Sequence, residues 1–82
     1  MRERGTSPQE AFGEVLKTLR VEKGLTQEAL ALDVGTERSH ISALERAEKG
    51  PSLTTIFRLA DALGISAGDL IAQVEKKLSG KK

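Results

Sequence analysis

The residues whose types and spacing best suit chemistry lie between Arg38 and Arg46, where short polar side chains stand between two arginines. Arginine can form two hydrogen bonds to guanine, and serine can donate to or accept from a base edge. Small side chains also let a helix approach the bases closely. The segment therefore favours contact with a polar partner, because it lacks the aromatic and large apolar anchors of most protein interfaces.

The chain has few residues that are suited to catalysis or to metal binding. It has no cysteine and one histidine, which excludes a disulfide framework, a thiolate metal site and a second imidazole to share a metal. Ser39, His40 and Ser42 are close in sequence, but helical spacing points His40 away from the serines and no carboxylate is placed to orient it. We expect no enzymatic activity, no cofactor and no metal, and we expect His40 at the helix surface or near a phosphate.

Length and charge narrow the class of protein. The 82 residues, 38% hydrophobic and 30% charged, make one small soluble domain. No apolar run approaches the ~20 residues that span a bilayer, and the first residues lack the apolar stretch of a signal peptide, so we expect a cytoplasmic protein without membrane contact. A net charge of +1 excludes a polybasic coating protein but not a specific binder with its charge on one face.

Helix signals predict five helices and no strand, so the fold class is all-α. A capping box at Ser7 and Glu10, with Pro8 in the first turn, begins a helix over about residues 8–23. The four later helices are predicted to begin at the caps Thr26, Thr36, Ser52 and Ser66. The predicted helix ends are Gly24, Gly35, Gly50-Pro51 and Gly64. The predicted organisation is a flexible arm over 1–7, one domain over 8–78 and a basic tail over 79–82.

Apolar residues at helical spacing predict which side of each helix is buried. The third helix, reaching about Ala47, buries Ile41 and Leu44. The fourth helix is expected to turn five side chains inward: Leu53, Ile56, Phe57, Ala60 and Leu63. Phe57 is interpreted as core first and as a dimer contact second.

Two short helices joined by a tight turn carry the functional interpretation. Val34-Gly35-Thr36 separates the second and third helices, and Gly35 can adopt the left-handed conformation that reverses the chain. Helices joined in this way cross steeply, as in a helix-turn-helix, in which one helix can lie in the major groove of DNA. The outward side of the third helix then consists of Ser39, Ala43 and Arg46, flanked by Arg38, His40 and Ser42.

Five segments of the chain match one family in a single register: Leu19–Gln27, Val34–Thr36, Ile41–Arg46, Pro51–Thr55 and Leu59–Ile65. Together they make the region from Arg20 to Ile71 resemble the Cro/repressor-type helix-turn-helix domains, also called the Xre family. The resemblance implies a compact five-helix, lambda-repressor-like domain. Within the family, the compact length and the segment from Arg38 to Ser42 look most like the controller proteins of restriction–modification systems.

The resemblance also implies a role for each matching residue. The base-reading positions are Arg38, Ser39, Ser42 and Ala43, and the phosphate-binding positions are Gln27, Thr36, Arg46, Lys49, Ser52 and Thr54. Gln27 is also expected to brace Arg38, and a helix N-terminus such as that after Ser52 attracts phosphate on physical grounds. Arg20 and Glu45 match a structural ion pair. Helical angles agree, because they turn Glu45 toward the core, where a carboxylate needs a partner.

One recognition helix reads too few base pairs for useful discrimination, so we expect a homodimer on double-stranded DNA. Two-fold symmetry would place two recognition helices about 34 Å apart on a near-palindromic operator. The predicted dimer interface is Ile65, Leu70, Ile71, Val74 and Leu78, with the core as an alternative place for these residues and for Leu70 in particular. Such a dimer in the nucleoid represses a promoter or activates it by contacting RNA polymerase, and no small-molecule effector is implied.

Each assignment has a plainer alternative. Arg38, Ser39 and Ser42 could be solvated surface residues, and Gln27 could be an ordinary first-turn residue. The C-terminal lysines and the N-terminal pair Arg2 and Arg4 are expected to be solvated or disordered rather than bound to DNA. The alternative function is a protein-interaction module, antitoxin-like or bridging, which predicts an apolar or acidic outward side on the third helix.

Overall fold

Hydroxyl side chains mark where the helices begin. The structure, a computed structural model, describes residues 7–79, which form five α-helices: α1 Pro8–Glu22, α2 Gln27–Val34, α3 Arg38–Glu45, α4 Leu53–Leu63 and α5 Ala67–Ser79. Ser7, Thr26 and Ser52 each accept the backbone N–H three residues later, and Ser66 accepts that of Asp69. Each bond satisfies a donor that the first turn leaves free. The predicted all-α class and four of its five helix starts are confirmed.

The start and the end of α3 differ from the prediction. Its N-cap is Glu37 rather than Thr36, and no side chain caps it. The N–H of Thr36 instead donates to the carbonyl of Ala31 at 2.9 Å and so closes the end of α2. The N-cap of α3 is therefore the next residue, Glu37. At its other end α3 stops at Glu45, because Ala47 takes a left-handed conformation with a φ of 61°.

One core, aliphatic except for Phe12, joins the helices. The α1 helix packs against α3 and α5, α2 packs against α3 and α4, and α4 packs against α5. Six large side chains are fully buried: Leu16, Leu30, Ile41, Leu44, Leu59 and Leu70. Burying one such side chain is worth about 1.5–3 kcal/mol of transfer free energy, so every helix is held by at least one strong apolar contact.

Two residues of α4 that were predicted to be buried are exposed. Leu53 and Phe57 are 71% and 59% exposed, so their assignment to the core is wrong. The buried stripe of α4 is Leu59, Ala60 and Leu63, with Ile56 half-buried beside it. Leu53 and Phe57 are four residues apart and therefore share a different stripe, which no other helix of the described chain covers.

The residues of α5 that were predicted for a dimer interface divide between core and surface. Leu70 and Val74 are 0% and 7% exposed, because they lie on the side of α5 that packs against α1 and α4. The prediction that Leu70 and Val74 belong to the dimer interface is therefore wrong, and both residues belong to the core. Ile71 and Leu78 are exposed, at 42% and 39%, and Ile65 is half-buried.

Both ends of the predicted domain extend by one residue. Ser7, predicted in the arm, caps α1, and Ser79, predicted in the tail, ends α5. The remainder of the predicted arm and tail, with Arg2, Arg4, Lys81 and Lys82, lies outside the described residues. Within residues 7–79, no helix has both the length and the apolar character that crossing a membrane requires.

Candidate nucleic-acid interface

The turn between α2 and α3 is built on Gly35. Its φ of 84° and ψ of 36° are left-handed, and its N–H donates to the carbonyls of Ala31 and Leu32. Most side chains would be strained in this conformation, which explains the glycine. The turn redirects the chain within three residues, and α3 then packs against α2 and α1 with its outward side free.

The free side of α3 is the one that its periodicity predicted. Ile41 and Leu44 are fully buried against the other helices. Of the outward residues, Arg38, Ser39 and Arg46 are exposed, whereas Ser42 and Ala43 are half-buried. An approaching molecule therefore meets hydroxyl groups, a methyl group and guanidinium groups rather than large apolar side chains.

A concave surface of about 470 Å³ lies along this side of α3, and we call it the α3 concavity. Six residues line it: Thr36, Glu37, Ser39, His40, Ala43 and Lys49. Four of these six are predicted DNA contacts, namely Thr36, Ser39, Ala43 and Lys49. The fold thus brings the turn before α3, the outward side of α3 and the loop after it to one surface.

Three other predicted phosphate contacts, Arg46, Ser52 and Thr54, lie after α3. Arg46 Nη2 is 3.0 Å from Glu48 Oε1, but the two side chains are 62% and 56% exposed, so this pair contributes little and can yield to a phosphate. The hydroxyl of Ser52 is engaged as the cap of α4, because it accepts the N–H of Thr55 at 3.1 Å. Thr54 is exposed in the first turn of α4, where free backbone donors attract anions.

Behind the outward side, a buried ion pair ties α3 to α1. The side chains of Arg20 and Glu45 are 11% and 3% exposed, and Arg20 Nε lies 2.6 Å from Glu45 Oε2. Arg20 Nη2 donates to the second carboxylate oxygen at 3.2 Å, and Nη1 donates to the carbonyl of Leu25 at 2.8 Å. Two parallel bonds satisfy charges that are costly to bury alone. The ion pair that the sequence predicted is present.

Gln27 connects this ion pair to the outward side of α3. Its Nε2 donates to Glu45 Oε1 at 3.0 Å, while its Oε1 lies 3.5 Å from Arg38 Nη1. An ionised carboxylate can only accept hydrogen bonds, so Glu45 obliges the amide of Gln27 to turn its NH₂ group inward and its carbonyl outward. The carbonyl then faces the guanidinium of Arg38, at the long end of hydrogen-bonding distance.

Two residues that position this surface were missed by the sequence analysis. Gly13 is buried in α1, and a Cβ there would lie 2.7 Å and 2.6 Å from the carbonyl oxygens of Leu44 and Glu45. An isolated glycine inside a helical pattern usually has such a packing reason, so a signal was available. The second residue is Gln9, whose Nε2 donates to the carbonyl of Ala47 at 2.8 Å and holds the loop after α3.

A separate apolar groove of about 500 Å³ lies between α1, α4 and α5. Its apolar lining includes Phe12, Ile56, Ile71, Val74 and Leu78, and the last three belong to the predicted dimer interface. Within residues 7–79, no cluster of histidine and carboxylate side chains has the arrangement of a metal site. The α3 concavity is thus lined mostly by polar side chains, whereas the groove beside α5 is lined mostly by apolar ones.

Comparison with known proteins gives a consistent result. The family model described as Helix-turn-helix matches residues 16–70. The chain is 38% identical over 64 residues to the uncharacterised HTH-type transcriptional regulator y4dJ of Sinorhizobium fredii, which covers 78% of this chain and 83% of that protein. It is 34% identical over 67 residues to the control protein C.MunI of a Mycoplasma species, covering 80% and 90%.

A solved structure extends this likeness to three dimensions. The restriction-modification controller protein C.AhdI of Aeromonas hydrophila superimposes with a TM-score of 0.73 at 42% sequence identity. The superposition covers 76% of this chain and 94% of that chain. The sequence and the backbone geometry of this chain are therefore both similar to those of control proteins, C.MunI in the first case and C.AhdI in the second.

Proposed function

This chain belongs to the helix-turn-helix family and is a DNA-binding transcriptional regulator, and we propose that it acts as a homodimer on a near-palindromic operator. The observation that carries the proposal is the outward side of α3, which offers serine, alanine and arginine directly after the left-handed turn at Gly35. A helix presented in this way fits the major groove of DNA. The action is occupancy of a DNA site rather than a reaction.

Four residues of α3 are proposed to read bases: Arg38, Ser39, Ser42 and Ala43. Arg38 stands at the N-terminal end of α3, beside the carbonyl of Gln27, and can form two bonds to a guanine. Ser39 is exposed and can donate or accept at the next base edge. The half-buried Ser42 and Ala43 keep the helix surface low, so that the backbone can approach the groove and a thymine methyl group can pack on Ala43.

The phosphate backbone is proposed to contact the residues that flank α3: Gln27, Thr36, Arg46, Lys49, Ser52 and Thr54. These contacts fix the register of α3 in the groove without reading sequence. For Ser52 the donor would be the backbone, because its hydroxyl already caps α4. Lys49 faces the α3 concavity from the loop beyond it and is suited to bind a phosphate as a point charge.

The proposed dimer interface uses the apolar surface of α4 and α5. Four exposed apolar side chains on these helices are Leu53, Phe57, Ile71 and Leu78, and Ile65 lies half-buried between them in sequence. Ile71 and Leu78 line one apolar groove together with Ile56 of α4, and grouped apolar side chains left exposed on a small domain mark an interaction surface. Pairing through this surface would place two α3 helices one turn of duplex apart, about 34 Å.

The genes under control are proposed from the relatives. C.MunI is a control protein and C.AhdI is a restriction-modification controller, and this chain spans 90% and 94% of their lengths. We propose that the protein regulates restriction–modification genes and works on the nucleoid in the cytoplasm. A dimer over a promoter would repress transcription, and one upstream would stand beside RNA polymerase and activate it.

Selection of bound duplexes from a random DNA pool at physiological salt tests DNA reading. We expect an enriched inverted repeat whose half-sites are about one helical turn apart. Enrichment of a single half-site would contradict the homodimer but would still support sequence-specific DNA binding. No enrichment, with folding confirmed by circular dichroism, would contradict DNA reading and favour a protein-interaction module.

Sedimentation of two surface variants tests the dimer. Phe57→Asp and Leu78→Asp should each shift the mass toward the monomer, because a charge in the apolar surface of α4 and α5 would be buried by the partner. Val21→Asp is the matched control, since Val21 is 57% exposed on α1 and outside that surface. An unchanged dimer in Phe57→Asp and Leu78→Asp would move the interface elsewhere.

A further inference from the structure

Of the ionisable side chains of the α3 concavity, Lys49 is a proposed phosphate contact, Glu37 stands at the N-cap of α3, and His40 has no role in the interface described so far. It is the only histidine in the chain, it is half-buried, and it shares the concavity with Thr36, Ser39 and Lys49. The sequence predicts two alternatives for it, a place at the helix surface or one near a phosphate. Its contacts decide between the two.

The imidazole of His40 is fixed through one nitrogen. Thr36 Oγ1 lies 2.9 Å from His40 Nδ1. Because Glu37 caps α3, the hydroxyl of Thr36 is free of the capping role and available to the ring. With Nδ1 occupied by Thr36, the ring nitrogen left for a partner is Nε2.

We propose that His40 binds a DNA phosphate through Nε2–H, held in place by Thr36, and that the ring is protonated in the complex. This rests on the proposed function. In the imidazolium form both ring nitrogens donate. Nδ1–H then donates to Thr36 Oγ1, Nε2–H donates to a phosphate oxygen, and the hydroxyl of Thr36 keeps its own proton for the same phosphate backbone.

The charges around the ring are consistent with this role. Glu37 and Lys49 are the charged groups that line the concavity with His40, and their effects on an imidazolium oppose each other. No residue of α1 or α2 lines this concavity. The phosphates of a bound duplex therefore add the deciding negative potential, and they favour the charged ring.

The consequence is that DNA binding takes up protons. Imidazole is the side chain whose ordinary change of charge lies between pH 5 and 8. The complex favours the protonated ring, so affinity rises as the pH falls through that range. By linkage, the affinity per subunit should rise about three- to tenfold between pH 8 and pH 6.

Fluorescence anisotropy with the selected duplex and with a scrambled duplex of equal length tests the proposal, at pH 6, 7 and 8 and constant ionic strength. Wild type should bind both duplexes more tightly at pH 6, because a phosphate contact is independent of sequence. His40→Gln should abolish that pH dependence, and Gln73→His added on exposed α5 should not restore it. An equal pH dependence in wild type and His40→Gln would overturn the proposal while leaving DNA reading intact.

The role of Thr36 is separated by a double-mutant cycle. Thr36→Val keeps the side-chain shape and removes the hydroxyl. If Thr36 holds the ring, His40→Gln costs severalfold less affinity in the Thr36→Val background than in wild type, and Thr36→Val alone flattens the pH dependence. Additive losses with an unchanged pH dependence would contradict the contact. No binding of either duplex by a folded wild type at any pH would instead overturn the proposed function itself.

Discussion

The two sides of α3 are built from opposite kinds of interaction. The inward side packs Ile41 and Leu44 into the core and closes the Arg20–Glu45 ion pair, so nearly every group on it has a partner within the chain. The outward side leaves Arg38 and Ser39 exposed, with one long contact from Gln27. The inward side is therefore built for stability, and the outward side keeps its bonding groups free for another molecule.

This difference separates stability from recognition within eight residues of helix. A substitution on the inward side should change the free energy of unfolding and affect DNA binding only by unfolding the protein. A substitution on the outward side should change DNA affinity and leave the melting temperature alone. Gln27 is the place where the two sides meet, because its amide bonds Glu45 and faces Arg38.

The largest effect is expected from Glu45→Ala. It leaves the guanidinium of Arg20 buried without its carboxylate, which should lower the free energy of unfolding by about 3–5 kcal/mol. Chemical denaturation measures it, with Glu48→Ala as the control, because the exposed Arg46–Glu48 pair is worth about 0–1 kcal/mol. Equal losses in the two variants would break the contrast between the sides of α3.

Gly13→Ala should come next. The added Cβ would overlap the carbonyl oxygens of Leu44 and Glu45, and since backbone cannot rotate away, unfolding should become easier by about 1–3 kcal/mol. Gly68→Ala is the matched control, because its Cβ would meet only Ser66 Oγ at 3.8 Å and a helical alanine gains about 0.5–1 kcal/mol over glycine. Thermal melts of the two variants should therefore move in opposite directions.

Arg38→Ala acts on the outward side alone. It should cost about 1–3 kcal/mol of specific binding and relax the preference at one base pair, with the melting temperature unchanged. Lys49→Ala is the companion variant: it should weaken binding to all sequences alike and lower the salt slope by about one. A loss of base preference in Lys49→Ala equal to that in Arg38→Ala would contradict the separation of reading from phosphate contact.

The smallest effect is expected from Ala47→Gly. The α1, α2 and α4 helices close on left-handed glycines, Gly24, Gly35 and Gly64, whereas α3 closes on left-handed Ala47. Relieving that backbone should stabilise the protein by up to about 1 kcal/mol, partly offset by the entropy of glycine in the unfolded chain. A differential scan measures the shift, and a lower melting temperature would mean that Ala47 is not strained.

The fold and much of the interface follow from local rules that the sequence displays. Caps such as Thr26 and Ser52 and the glycine at 35 act on their own neighbours, so the helices and the turn were predictable. The Arg20–Glu45 pair was predictable from the family resemblance and from the helical angle of Glu45. The assignment of Thr36 as the N-cap of α3 was wrong because the end of α2 and the start of α3 meet at this residue. Its N–H donates to the last turn of α2, and α3 therefore begins one residue later.

The errors at α4 and α5 have a different cause. Helical spacing says which apolar residues share a stripe, but α4 carries more than one such stripe, and only the packing of its neighbours selects the buried one. Leu59 is selected and Phe57 is not. The same holds for Gly13, whose close approach to α3 depends on where two helices meet after the chain has folded.

The anchoring of α3 at both ends has a consequence for how the protein can change. Its start is fixed by the closure of α2 on Ala31 and its end by the bond from Gln9 to the carbonyl of Ala47. One residue inserted into α3 would rotate the outward side by about 100° and destroy it. Exchange of side chains on that side disturbs no core contact, so new operators are accessible by point substitution on an unchanged frame, in evolution as in design.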